Sequence, residues 1–307
     1  MQNTTPPTTD HTIGVVGLGN MGIEVATRLH AAWPTIGIDL SEERRAEASD
    51  RGLRTLPLES AVDECDIVAL SLPTPAASLA VARSLAARPG TVRTVLEMST
   101  VTPSDMKAVQ RVLEPVGIRV LDCAVLAGVA QMRAGTAGLV LAGDATAIEE
   151  ISPVLDAITD KRRVLGEVGT GMAAKVLNNA VAHGVMVMLG EVMAMAVQAG
   201  LDPRALVDIL AGDDGGLLRP LTHRVAERGF TGSYDGGMSL EAARKDSVLA
   251  LSMAQDDGVP VFTLPAAHGV YEMAMAEGWS RNDYAVLLRL WERWGEFTFP
   301  DAVGPTP

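Results

Sequence analysis

IGVVGLGNMGIEVATRL, residues 13–29, reads as a short apolar strand, a glycine-rich turn and the start of a helix. Gly17, Gly19 and Gly22 stand in G-x-G-x-x-G spacing, with Leu18, Asn20 and Met21 completing a candidate cofactor-binding turn. The first glycine permits a tight turn, the second lets a pyrophosphate approach the backbone, and the third lets helix and strand pack closely. The next strand, TIGID, ends in Asp39, about twenty residues beyond the first glycine, where a carboxylate can accept hydrogen bonds from both adenosine ribose hydroxyls. NAD is therefore expected ahead of NADP. Arg44 and Arg45 are the residues that would serve a 2′-phosphate instead, and Asp39 also suits capping near Ser41 of the helix that follows.

Outward from this stretch, short apolar runs alternate with helical segments. Strands are expected at DIVALS (66–71), TVLEM (94–98), IRVLD (118–122) and AGLVLAG (137–143), with a last short one near 163–165, and helices after Pro75 and Pro103. This predicts an α/β fold: a Rossmann-type doubly wound parallel sheet over residues 11–166, followed by an all-α domain over 167–300. Polar, Pro/Thr-rich residues 1–10 and residues 301–307 read as tails. Ligands of such sheets bind at the carboxyl ends of the strands, so Leu72, Pro73 and Thr74, Ser99 and Thr100, and the loop after Asp122 are the candidates there.

GTGMAAKVLNNAVAH (169–183) opens a long apolar helix running to about Ala199. Lys175 and Asn179 lie four residues apart, on one helix face about 6 Å apart along the axis, and His183 continues the stripe. Apolar residues on nearly every side predict a helix buried on most sides. Burial would lower the lysine pKa toward the range useful for proton transfer. Spacing alone equally allows Lys175 at a solvent-exposed helix start. Beyond this helix the pattern is helical throughout, with Asp202 and Pro203 opening the next helix and LEAARKDSVLALSMAQ carrying Lys245 and Asp246.

The 307 residues suffice for about two domains, with 48% hydrophobic and 21% charged residues. A net charge of −13 argues against nucleic acid or an anionic membrane as partner. His183, Glu191 and Gln198 interrupt the one run of near-membrane length, so no membrane span is expected. Cys65 and Cys123 lack metal-ligand spacing and read as reduced structural thiols, which points to a cytoplasmic protein without a metal site.

Four landmarks occur in order: GLGNMG (17–22), DCAVLAGVAQMRAGTAG (122–138), GTGMAAKVLNN (169–179) and ARKD (243–246). With them the chain resembles the β-hydroxyacid dehydrogenase family, from Ile13 to about Phe297. The resemblance implies that Lys175 is the catalytic general acid/base, that Asn179 orients lysine or substrate with Asn178 beside it, and that Thr100 borders the nicotinamide. It also implies that Lys245 contacts cofactor and site, that Asp246 holds it, and that the protein is a homodimer or homotetramer joined through its helical domain.

Three features depart from the family pattern. Its substrate loop usually reads D-x-P-V-S-G-G, whereas Asp122-Cys123-Ala124-Val125-Leu126-Ala127-Gly128 stands here. Leucine offers no hydrogen bond, and a buried carboxylate left without the serine donor would lose on the order of 1–3 kcal/mol. His183 lies two turns beyond Lys175, and Met238 stands where an aromatic residue often precedes the lysine–aspartate pair. The expected activity is NAD(H)-dependent interconversion of an alcohol and its aldehyde or ketone, in a β-hydroxy acid or a related small hydroxylated compound. Two alternatives stay open: an imine reductase-like enzyme, whose members typically replace this lysine, and a catalytically silent NAD-binding protein.

Overall fold

The computed structural model describes residues 11–302. The expected tail at 1–10 and most of the one at 301–307 lie outside the described residues, and a short helix, Phe299–Ala302, reaches the start of the latter. The chain divides into two compact units, one up to Ala180 and one from Val181 on.

The first unit is built on an eight-stranded sheet ordered β3-β2-β1-β4-β5-β6-β7-β8. Its strands are β1 Ile13–Val16, β2 Thr35–Ile38, β3 Arg54–Thr55, β4 Ile67–Leu70, β5 Thr94–Glu97, β6 Arg119–Leu126, β7 Gly138–Ala142 and β8 Arg162–Val164. β1, β2, β4 and β5 are buried along their whole length, which explains their unbroken apolar runs: helices cover both faces of the sheet. Side chains alternate between two cores. Ile13 and Val15 pack on one face with Leu29 and Leu155, while Val16 packs on the other with Leu85 and Met106.

Two strands differ from expectation. β6 continues past Asp122 to Leu126, so the first part of the expected loop is strand. β7 pairs with β6 antiparallel, Leu126 opposite Gly138, where an all-parallel sheet was expected. The segment between them holds only the short helix Val129–Ala134, which turns the chain back at the same end of the sheet rather than carrying it over a face. β3, two residues long, is too short to leave a periodic signal.

The long helix spans Thr170–Gln198. It is not buried on most sides as expected: Leu177, Val181, Met186, Val187 and Val197 are all more than half exposed. By length and composition it could cross a membrane. Glu191, however, is buried and accepts the backbone N–H groups of Phe262, Thr263 and Leu264, capping the helix Thr263–Ala276 within the second unit. That unit has a small core around Leu240, Ala274, Val286 and Leu290. Its other helices include Pro203–Ala211, opened by Asp202, and Leu240–Asp256, opened by Ser239.

Candidate active site

The glycine turn lines a cavity of about 960 Å³ at the carboxyl ends of β1, β2 and β4. Gly17 has φ +92°, and a Cβ there would lie 2.2 Å from the Ser71 carbonyl oxygen, so only glycine fits. A Cβ on Gly22 would lie 1.9 Å from the Gly17 oxygen, the close approach of helix to strand read from the spacing. Gly19 meets nothing within 4 Å and faces the open cavity. Met21 gives the helix Gly22–His30 no side-chain cap; the Ile23 N–H goes to the Gly19 carbonyl and those of Glu24 and Val25 go to the Met21 carbonyl, so it is the positive end of the helix that faces the cavity. This cradle fits a dinucleotide pyrophosphate.

Asp39 lies on the cavity wall with Asn20 and Met21. Its Oδ2 accepts the Leu18 N–H at 2.7 Å and its Oδ1 the Ser41 N–H at 2.8 Å, tying the end of β2 to the glycine turn. Each carboxylate oxygen keeps a further lone pair for a ribose hydroxyl. Arg45 donates to the carbonyls of Asp39 and Leu40, and Arg44 pairs with Glu47. Both guanidiniums are thus engaged by the protein, an arrangement that suits an unphosphorylated ribose. The Leu18 side chain is buried in the core and contributes only its backbone to the turn.

The far wall comes from Leu72 and Pro73 and from Ala77, Ala80, Val81 and Ser84 of the helix Pro75–Ala87. Those four helix positions follow i, i+3, i+4, i+7 spacing, a signal present in the sequence and unused there. Leu72 donates its N–H to the Ser99 hydroxyl at 2.8 Å, joining the turn after β4 to the turn after β5. Thr100, next to Ser99, is exposed.

Lys175 is half-buried near the start of the long helix, and burial, with no carboxylate contributing, holds its ammonium below the usual lysine range. The helix is anchored by Asp122, whose carboxylate accepts the Gly169 N–H at 3.0 Å and the Met172 N–H at 2.9 Å. Asp122 is wholly buried, and that burial raises its pKa against the opposing pull of these backbone donors. Asn179 is half-buried and Asn178 exposed. Leu126, Ala127 and Gly128 lie at the end of β6, with Leu126 exposed and Gln131 packed so closely over Gly128 that a Cβ there would lie 2.9 Å from its Oε1. The anchoring role of Asp122 and the bracing by Ser99 were missed by sequence reasoning. The available signal was a polar residue within an otherwise apolar strand.

His183, Met238, Lys245 and Asp246 belong to the second unit. Lys245 Nζ lies 2.9 Å from Asp246 Oδ1, both side chains largely exposed. Met238 donates its N–H to the buried Asp283, which also forms an ion pair with Arg224 at 3.2 Å and so fixes the loop ahead of the Lys245 helix. His183 is exposed. Cys65 and Cys123 are free and buried, their thiols pushed up to about 12 by burial, as befits structural residues.

A family described as the NAD binding domain of 6-phosphogluconate dehydrogenase matches residues 12–171, and one described as the NAD-binding domain of NADP-dependent 3-hydroxyisobutyrate dehydrogenase matches residues 169–291. The chain is 28% identical to 2-(hydroxymethyl)glutarate dehydrogenase of Eubacterium barkeri, over 92% of this chain and 95% of that protein. It is 29% identical to the NAD-dependent L-serine dehydrogenase of Pseudomonas aeruginosa, over 91% and 97%. Among solved structures, an imine reductase from Pseudomonas sp. superposes with a TM-score of 0.82 at 20% identity, covering 92% of this chain and 99% of that one, a likeness of fold alone.

Proposed function

The chain belongs to the β-hydroxyacid dehydrogenase family, NAD(P)-dependent dehydrogenases, and on that premise we propose that it interconverts an alcohol and its carbonyl compound with Lys175 as general acid/base. The observation that carries this is a half-buried lysine, its pKa lowered by burial without a counter-charge, at the anchored start of a helix. Such an amine can accept the hydroxyl proton in oxidation and return it to the carbonyl oxygen in reduction. The nicotinamide, when bound, accepts or supplies the hydride. The Gly17–Gly22 cradle holds the pyrophosphate, Asp39 the adenosine ribose, and Leu72, Pro73 and Thr100 border the nicotinamide. Asn179 orients the lysine or substrate, and Lys245, paired with Asp246, has the cofactor-contacting role that the family resemblance gives it.

Leu126 sets the substrate class. Where the family's serine would hold a carboxylate, leucine accepts an apolar group, so the substrate is a small hydroxylated compound with an apolar or uncharged end rather than a simple β-hydroxy acid. Asn178, Ala127 and Gly128 complete the substrate-side residues of the first unit. The exposed apolar length of the long helix supports a homodimer or homotetramer, because so much apolar surface gains by being covered. The buried free thiols suit a reducing compartment such as the cytoplasm. Lys175→Ala is the test: NADH binding, read by fluorescence titration, stays as in the parent, while turnover on a panel of hydroxylated substrates falls roughly a hundredfold or more. Near-parental turnover would remove the assignment. Running cyclic imines on the same panel decides the imine reductase-like alternative.

A further inference from the structure

We propose that Glu97 is a positioning residue of the nicotinamide half of the cofactor site. Its carboxyl fixes Ser99 and thereby the Leu72–Pro73 turn, and its charge, when present, favours the cationic oxidised cofactor over the neutral reduced one. The inference rests on dinucleotide binding at the Gly17–Gly22 cradle and is independent of the role given to Lys175.

Asp39, the residue after β2, marks the adenosine side of the cavity, so a dinucleotide crossing between β1 and β4 extends its other end over β4 and β5. Glu97 is the last residue of β5 and is wholly buried. Its Oε1 accepts the Ser99 N–H at 2.9 Å, and the Ser99 hydroxyl in turn accepts the Leu72 N–H at 2.8 Å, beside the cavity wall. Its Oε2 has no hydrogen-bond partner among the described residues. A buried carboxyl with one oxygen unpaired is costly, and no packing need calls for it in a strand otherwise made of Thr, Val and Leu.

The helix Pro75–Ala87 faces Glu97 with the Ser78 hydroxyl, and β6 faces it with Asp122, its partner in strand register. Among the described residues no basic group lies close enough to lower its pKa. Burial first, and Asp122 as a lesser cause, push its pKa up to about 7, against the pull of the neighbouring Ser99 and Ser78 hydroxyls and of the Ser99 N–H. Its charge therefore changes near neutral pH. A negative charge that appears in this dry setting attracts a pyridinium ring and leaves a dihydropyridine indifferent.

The experiment is equilibrium binding of NAD+ and NADH to the full-length protein from pH 6 to 8, with no substrate and no turnover. Glu97→Gln keeps the shape and the acceptor for Ser99 but cannot ionise. In the parent protein the ratio of NAD+ to NADH affinity rises with pH, on the order of threefold or more across this range. In Glu97→Gln it is flat. A flat ratio in the parent, or a pH dependence that survives in Glu97→Gln, overturns the charge role. Ser99→Ala, which removes the acceptor for the Leu72 N–H, weakens both cofactors alike and keeps the pH dependence. Parental affinity for both cofactors in Ser99→Ala overturns the bracing role.

Discussion

Asp122 and Gly169 are joined by a carboxylate that accepts one backbone N–H on both of its oxygens, each at 3.0 Å, where β6 meets the start of the long helix. The same carboxylate takes the Met172 N–H, and a Cβ on Gly171 would lie 2.9 Å from the Asp122 Cβ. Lys175 stands one turn beyond Gly171, so its position depends on this contact.

Asp122→Ala leaves two buried N–H groups without an acceptor and is expected to lower stability by about 3 kcal/mol. Asp122→Asn keeps one acceptor oxygen and costs less. In both variants kcat is expected to fall more than NADH affinity, because the anchored helix carries the lysine and not the glycine cradle. Thermal denaturation and steady-state kinetics on the two variants check this.

The two glycines of the cradle should fail differently. Gly22→Ala forces a methyl group against the Gly17 carbonyl and is expected to cost about 3 kcal/mol of stability. Gly19→Ala meets open space within the protein, so its melting temperature stays parental while NADH affinity falls about tenfold. Equal loss of stability in the two would contradict the geometry.

As the proposed general acid/base, Lys175 must be neutral to take a proton and charged to give one. Burial lowers its pKa below the ordinary value of 10.5, so alcohol oxidation should rise with pH through that lowered value, and carbonyl reduction should fall over the same interval. Measured pH profiles of kcat/KM in the two directions check the sign. The opposite slopes would place the proton elsewhere.

Leu126→Ser should restore a hydroxyl at the exposed end of β6. Activity on substrates with a carboxylate is expected to rise roughly tenfold relative to substrates with an apolar end. If the parent enzyme already prefers 3-hydroxyisobutyrate over larger or uncharged-end alcohols, the substrate reading at Leu126 is wrong.

Much of the first unit could be read directly from the residues. The glycine spacing, the acidic end of TIGID and the alternation of apolar runs with helices each reflect a local steric or hydrogen-bonding demand, so they announced β1, the turn and the doubly wound sheet. The course of β6 did not announce itself. Asp122 to Gly128 has the small and polar residues of a loop at both ends, and only pairing with β7 keeps the intervening residues extended. The long helix misled in another way: an all-round apolar surface implies that something covers it, yet within one chain its middle stays exposed.

By itself, then, the sequence determined the dinucleotide-binding fold, the acidic residue Asp39 that ends TIGID and the helix on which Lys175 stands. Each of these follows from contacts between residues near one another in the chain. Only the tertiary structure decided that Asp122 anchors that helix, that Asp39 is tied to the Leu18 amide, and that Glu97 lies dry with one oxygen unpaired. A side chain's charge and hydrogen bonds depend on which distant strands and helix ends enclose it, and that enclosure exists only once the sheet has assembled.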